Sequence, residues 1–202
     1  MAIRLKFKRT DSDLSGRSKM WGCPDLPDSL DYPEVSVNDG GELVDDPMTF
    51  ICQIRLEDIA ALDPECALPH RGMLYFFASM DYFLGNIDAL AAPGMGEWDQ
   101  RYYKVLYSED CGNLHTHRIV FEDGTEYGLP AEEISFEECP DKEDGFKMLG
   151  RPYLDEIGES YPGWESLLQL DCCDEWNLQF YDCGMLCFLK KDNETRCYLH
   201  SF

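Results

Sequence analysis

The side chains best placed to do chemistry in a small space lie between Gln169 and Asp182. The stretches "QLDCCDEW" and "YDCG" put Asp171, Asp174, Glu175 and Asp182 around Gln169. Oxygen donors at this density suit a hard cation such as calcium or magnesium. A cleft bearing Gln169, Asp171 and Asp182 would also serve a small-ligand or metal-binding hydrolase. No EF-hand spacing is present, however, and clusters arise freely in a chain with 40 acidic residues. A solvated loop is the competing reading, and Asp182 ahead of Gly184 is also a good side-chain-bonded turn. A second constellation, "CGNLHTHR", sets Cys111 near His115 and His117. Two histidines at i and i+2 share one face of a strand and suit a borderline-soft metal. Further ligands are missing nearby, so exposed hairpin histidines are the alternative.

Nucleophilic catalysis has no comparable signal. Ten cysteines and four histidines form many nominal pairs, but no local signature selects one. There is no Gly-x-Ser-x-Gly and no phosphate-cradling glycine loop before a helix. Most of the cysteines sit in apolar runs such as "FICQI" and "GMLCFL", which reads as reduced core thiols, and the absence of Cys-x-x-Cys argues against a zinc ribbon. No cofactor is expected, and the sequence leans away from an enzyme.

The charge points elsewhere. With 17 Lys and Arg against 40 Asp and Glu, the formal net charge is -23. So many acids must lie on a solvated surface, which repels nucleic acid and anionic membranes and attracts cations and basic proteins. No apolar run has the length of a membrane span. The opening "MAIRLKFKRT" lacks a signal-peptide core. A cytoplasmic protein is therefore expected.

The elements that must position these groups read mainly as strands. Ile3 to Lys8 alternates apolar and basic residues, the period of a strand with one wet face. Residues 24–47, with four prolines and Gly40-Gly41, read as a long irregular segment. "MTFICQIRL" and "GMLYFFASM" read as core strands, the second too apolar on both faces for a sheet edge. "LEDIAAL" predicts a short helix and "RYYKVLYS" a strand. Asp123-Gly124 in "HRIVFEDGTEYGL" is a hairpin signal. "PAEEISFEECPDKEDG" reads as an acidic connector with one helical turn.

One phrase then returns. "KMWGCP" at Lys19 to Pro24 reappears as "KMLGRP" at Lys147 to Pro152, an offset of 128. "FICQI" pairs with "SLLQL" at an offset of 116 and "GMLYFF" with "GMLCFL" at 112. Three blocks in one order, with loops shortened between them, is how duplicated units diverge. Each copy is marginal for folding alone, so the two are expected to complete one core. Gln53 and Gln169 lie at matching places in apolar strands, where each amide needs partners if buried. They either face a shared cleft or brace a loop.

These phrases, with "MTFICQIRLEDI", "LPHRGMLYFF", "YYKVLY", "SLLQLDCCDE" and "DCGMLCFLKKDN", resemble the YwqG-like family of bacterial proteins of unknown function, from about residue 18 to the C-terminus. Trp21 stands where the family commonly has a small residue, and Tyr181 where it commonly has Gly. The resemblance implies a mixed α and β fold with internal duplication, and contexts of bacterial toxin and immunity.

The expected fold is α+β, strand-rich with mainly antiparallel sheets, few short helices and two halves in a pseudo-twofold relation. A single domain over 1–202 would comprise a first half at 18–110, a hairpin and acidic connector at 111–146, and a second half at 147–202. The expected function is non-enzymatic binding of a basic protein partner, with a basic toxin among the candidates. The ligand-binding candidates are Gln53, Gln169, Asp171, Asp174 and Asp182, and the metal candidates Cys111, His115 and His117. The acidic stretches "DSLDYPEVSVNDGGELVDD" and "FEECPDKED" would form the contact surface.

Overall fold

The computed structural model describes residues 1–121 and 123–202. Among them the strands are β1 (Ala2–Arg9), β2 (Lys19–Met20), β3 (Asp25–Pro27), β4 (Glu34–Asp39), β5 (Glu42–Pro47), β6 (Thr49–Arg55), β7 (Met73–Ala78) and β8 (Gly96–Glu97). They continue as β9 (Tyr103–Ser108), β10 (Leu114–Thr116), β11 (Glu132–Cys139), β12 (Lys147–Met148), β13 (Glu165–Asp171), β14 (Met185–Lys191) and β15 (Glu194–His200). Eleven join one antiparallel half-barrel sheet in the order β8-β15-β14-β13-β12-β1-β11-β2-β6-β7-β9. The pairs β3–β10 and β4–β5 form two small separate sheets.

The expected α+β class is overturned, because the molecule is nearly all sheet. Among the described residues its α-helices are α1 (Leu56–Ile59), 4 residues, and α2 (Asp155–Ser160), 6 residues. Helices this short have little stability of their own, and they hold by burying Leu56, Ile59 and Ile157. The acidic connector expected to carry a helical turn is instead the long strand β11. Its Ile134 and Phe136 alternate at period 2 with Glu133, Ser135 and Glu137, and it runs antiparallel to β1 over Ala2↔Cys139 to Arg9↔Glu132. The basic residues of β1 meet those acids directly: Arg4 and Lys6 bridge Glu137, and Arg9 bridges Glu132. Cross-strand charge pairing of this kind favours the ladder over a helix.

One other expectation changes. The segment read as irregular forms the hairpin β4–β5, turning at Gly40-Gly41. The Asp123-Gly124 hairpin signal falls where the chain does turn back on itself: Val120 bridges Glu126, Tyr127 N–H donates to the Ile119 carbonyl and Phe121 N–H to that of Thr125, while Glu122 lies outside the described residues. No described helix is long and apolar enough to cross a membrane.

The strand order reads almost the same outward from the β1–β11 pair: β12, β13, β14, β15 on one side and β2, β6, β7, β9 on the other. Alternation then divides the core. Leu74 and Phe76 of β7 and Leu186 and Phe188 of β14 enter one cluster together with Ile3, Leu5, Met20 and Met148. The opposite face of β7, Met73, Tyr75 and Phe77, enters a separate cluster beneath the β4–β5 hairpin. The opposite face of β14, Met185, Cys187 and Leu189, packs against Leu154 and Ile157. Both strands are thus covered on both faces, which is why their sequences lack a polar face.

Candidate functional site

The repeated phrase builds a tight corner twice. Trp21 and Leu149 both have φ 58°, and Gly22 and Gly150 follow at 75° and 71°. A Cβ on Gly22 would lie 2.7 Å from the Cβ of Ala131, and on Gly150 2.6 Å from the Asp141 carbonyl, so only glycine fits either place. The corner throws the chain past the first residue of each phrase, Lys19 opposite Gln53 and Lys147 opposite Gln169 in the ladder.

The two glutamines do the same work. Each is 0% exposed. Gln53 Oε1 accepts from the Asp25 N–H at 2.8 Å, and its Nε2 donates to the Arg17 carbonyl at 2.9 Å. Gln169 Oε1 accepts from the Tyr153 N–H at 2.9 Å, and its Nε2 donates to the Gly145 carbonyl at 2.9 Å and to that of Glu143 at 3.1 Å. Arg17 and Asp25 lie 128 positions before Gly145 and Tyr153. Both amides therefore clamp the segments before and after the corner, satisfying backbone groups that burial would otherwise leave costly.

The lysines differ. Lys147 Nζ donates to the carbonyls of Asp141, Leu149 and Arg151, which accounts for all three of its protons, and burial pulls its ammonium below the ordinary lysine value. Lys19, 4% exposed, meets only Asp25 Oδ2 at 2.7 Å among the described residues. Asp25 also accepts from the Gly16 N–H, Gln53 Nε2 and the Thr116 hydroxyl. Burial pushes the Asp25 carboxyl up, but the hydrogen bonds from Lys19 and Thr116 and the Lys19 charge hold it below the usual carboxylate range.

Beside this network opens a cavity of about 430 Å³, lined by Asp13, Lys19, Cys23, Thr116, Arg118 and Glu126 among others. Cys23 donates to Glu126 Oε1 at 2.7 Å, and Arg118 pairs with the other Glu126 oxygen at 3.0 Å. Burial and Glu126 push the Cys23 thiol up to about 12, so it carries no thiolate at neutral pH and is no nucleophile. The cavity can bind polar groups of either charge, with a cation and an anion at each level: Lys19 near Asp13 and Arg118 beside Glu126.

The residues singled out by sequence disperse. Asp171 is half-buried, accepts from the Cys172 and Gly145 N–H groups, and is pushed up by burial. Asp174 is exposed and accepts from Gln179. Asp182 is exposed, its N–H and carbonyl both tied to the Ser201 hydroxyl. His115 approaches Asp28 at 3.2 Å, His117 lies against the Tyr32 ring at 4.9 Å, and the Cys111 thiol points at the Ser108 carbonyl at 3.9 Å. Among the described residues no three His, Cys, Asp or Glu side chains converge as a metal site. Lys19, Cys23, Asp25, Thr116, Arg118 and Glu126 escaped sequence reading as a group. The available signal was Lys19 itself, the first letter of the repeated phrase.

A second surface is the acidic arm. No Lys or Arg occurs between Lys19 and Arg55. The β4–β5 hairpin buries Val35 and Val37 and exposes Glu34, Asp39, Glu42 and Asp45, with Leu43 78% exposed. Asp39 lies directly opposite Glu42, a like-charge pair that disfavours the hairpin.

A family model described as Domain of unknown function (DUF1963) matches residues 18–197. No curated protein matches the chain.

Proposed function

This chain belongs to the DUF1963 domain family, and we propose that it acts as a non-enzymatic binding module whose acidic arm docks a basic protein. The observation that carries this reading is the β4–β5 hairpin, a separate two-stranded sheet whose exposed charges are all negative. Lys and Arg side chains elsewhere are largely engaged: Arg4, Lys6 and Arg9 across β1–β11, Arg17 with Glu133, and Arg151 with Asp141. Part of the net charge of -23 thus lies on the arm without basic neighbours in sequence, where it would speed the encounter with a positive partner and favour its orientation. Leu43, projecting from between the acids, supplies an apolar contact at the centre of such an interface. The narrower form, a YwqG-like immunity protein that covers a basic toxin, draws on the motif resemblance together with this charge pattern.

The test is association with a basic partner recovered from the native host, measured by surface plasmon resonance at about 50 and 300 mM salt. Tight binding at low salt and a fall in association rate of about tenfold or more at high salt are expected. Asp39→Asn/Glu42→Gln/Asp45→Asn, all exposed changes, should slow association similarly at low salt. Unchanged binding by this variant refutes the arm as the contact surface.

A further inference from the structure

Resting on the acidic arm as the docking surface, we propose that the partner enters as an extended basic segment, which adds as an antiparallel strand along the open edge of β5. The two-residue turn at Gly40-Gly41 fixes the register of β4 and β5. Its flanking residues Asp39 and Glu42 exchange both backbone hydrogen bonds, and alternation assigns the next such pairs to Val37 with Val44 and Val35 with Asp46. Donation from the Met48 N–H to the Pro33 carbonyl continues that rhythm at the far end. The N–H and C=O groups of Leu43 and Asp45 therefore point away from β4, and among the described residues they have no hydrogen-bond partner. The small sheet pairs β4 with β5 and with no other described strand. Pro47 ends the template, because it has no N–H and its carbonyl accepts from the Tyr127 hydroxyl at 3.2 Å.

An open edge accepts another strand through its main chain, and the side chains beside it select which. A second copy of β5, paired antiparallel about Val44, would set Glu42 against Asp46 twice, and like charges directly opposite are destabilising. The net charge of -23 on each copy adds to that repulsion. A basic segment meets the reverse situation. Glu42 and Asp45 are exposed, and the Asp45 carboxylate accepts only from the Ser36 hydroxyl among the described residues. Half-buried Asp46 lies near Asp81, which accepts from the hydroxyls of Thr49 and Tyr127. Neither of these two carboxylates has a Lys, Arg or His partner among the described residues. An incoming strand would set cations opposite Glu42, Asp45 and Asp46, and apolar side chains opposite exposed Leu43 and half-buried Val44. Main-chain hydrogen bonds would then supply affinity, and this alternation of charge and apolar contact the specificity.

The experiment is calorimetric titration of the full chain, at about 50 mM salt, with the synthetic peptide acetyl-Lys-Thr-Lys-Lys-Val-Val-Lys-Thr-Lys-amide. Two further forms carry backbone N-methyl groups. One is methylated on the fourth and sixth residues, whose N–H groups would face Asp45 and Leu43, and the other on the fifth and seventh, whose N–H groups would face solvent. All three carry the same charge. Saturable 1:1 binding of the parent peptide is expected, with the first methylated form weaker by about tenfold or more and the second within about threefold of the parent. Leu43→Pro removes one outward N–H at an edge position, where proline is tolerated. It should weaken binding of the parent peptide more than Leu43→Ala does, with thermal melting showing the fold retained. Equal binding by the two methylated forms, or a greater loss by the second, overturns strand addition and leaves charge-driven docking on the arm standing. No saturation by any of the three at about 1 mM also overturns it, and the arm then stands or falls on its own test with the recovered partner.

Discussion

Replacing Gln53 with leucine isolates what the clamp contributes. The side chain is fully buried, and its loss leaves three groups short: the Asp25 N–H, the Arg17 carbonyl and one donor to the Asp25 carboxylate. Arg17 lies at the surface, so water can satisfy its carbonyl. The Asp25 N–H is buried and costs about 1–3 kcal/mol unpaired. A hydrogen bond to a buried carboxylate adds about 1.5–3 kcal/mol, and the apolar leucine returns roughly 1 kcal/mol through burial. The net loss is about 3–4 kcal/mol, which for a chain of this size lowers Tm by about 10 °C. Acid should narrow the deficit. The Asp25 carboxyl is held low in the fold, so its stabilisation is present above the ordinary value near about 3.9 and is lost as pH falls through the folded value. The Gln53→Leu change would let that folded value rise, so the two proteins should converge, in the part due to Asp25, as pH falls toward and below the folded value. Gln169→Leu is the control: its amide bonds only backbone groups, and its deficit should be nearly independent of pH. The assay is thermal melting by circular dichroism from about pH 3 to about pH 8. A Tm loss under about 2 °C for Gln53→Leu at about pH 7, or a deficit equal at both ends of the range, refutes the reasoning.

Gly22→Ala and Gly150→Ala should each cost about 2–3 kcal/mol or more in urea unfolding, because a positive φ and a Cβ contact below about 3 Å coincide; a loss under about 1 kcal/mol would show that the corner yields easily. Asp46→Asn should raise Tm at neutral pH. Burial and the nearby Asp81 raise the Asp46 carboxyl in the fold, so ionising it there is a penalty that applies above the folded value and vanishes below the ordinary value near about 3.9; an unchanged or lower Tm at neutral pH would refute this. In the native protein a thiol reagent should modify exposed Cys66 and Cys183 first, while buried Cys52, Cys187 and Cys197 stay protected, with burial pushing Cys187 up to about 12. Mass spectrometry after brief labelling checks this, and early modification of Cys187 would contradict the packing.

The strands themselves were legible because their signals are local. "FICQI", "GMLYFF" and "RYYKVLYS" carry β-branched and aromatic residues in short runs, and β6, β7 and β9 form there. The glutamines could be marked as buried amides needing partners, since that follows from residue type and apolar neighbours alone. β11 was not legible: its acids suggest a solvated connector until β1 supplies the basic partner strand from the far end of the chain. The cavity was equally hidden. Lys19, Thr116 and Glu126 come together only through the pairing of β3 with β10 and the loop that follows. Residue types and periodicity determined which segments are strands and which side chains must be satisfied. Only the tertiary structure decided that Asp25 gathers Lys19, Gln53 and Thr116 while Lys147 is saturated by carbonyls, because which groups meet depends on distances between segments remote in the chain.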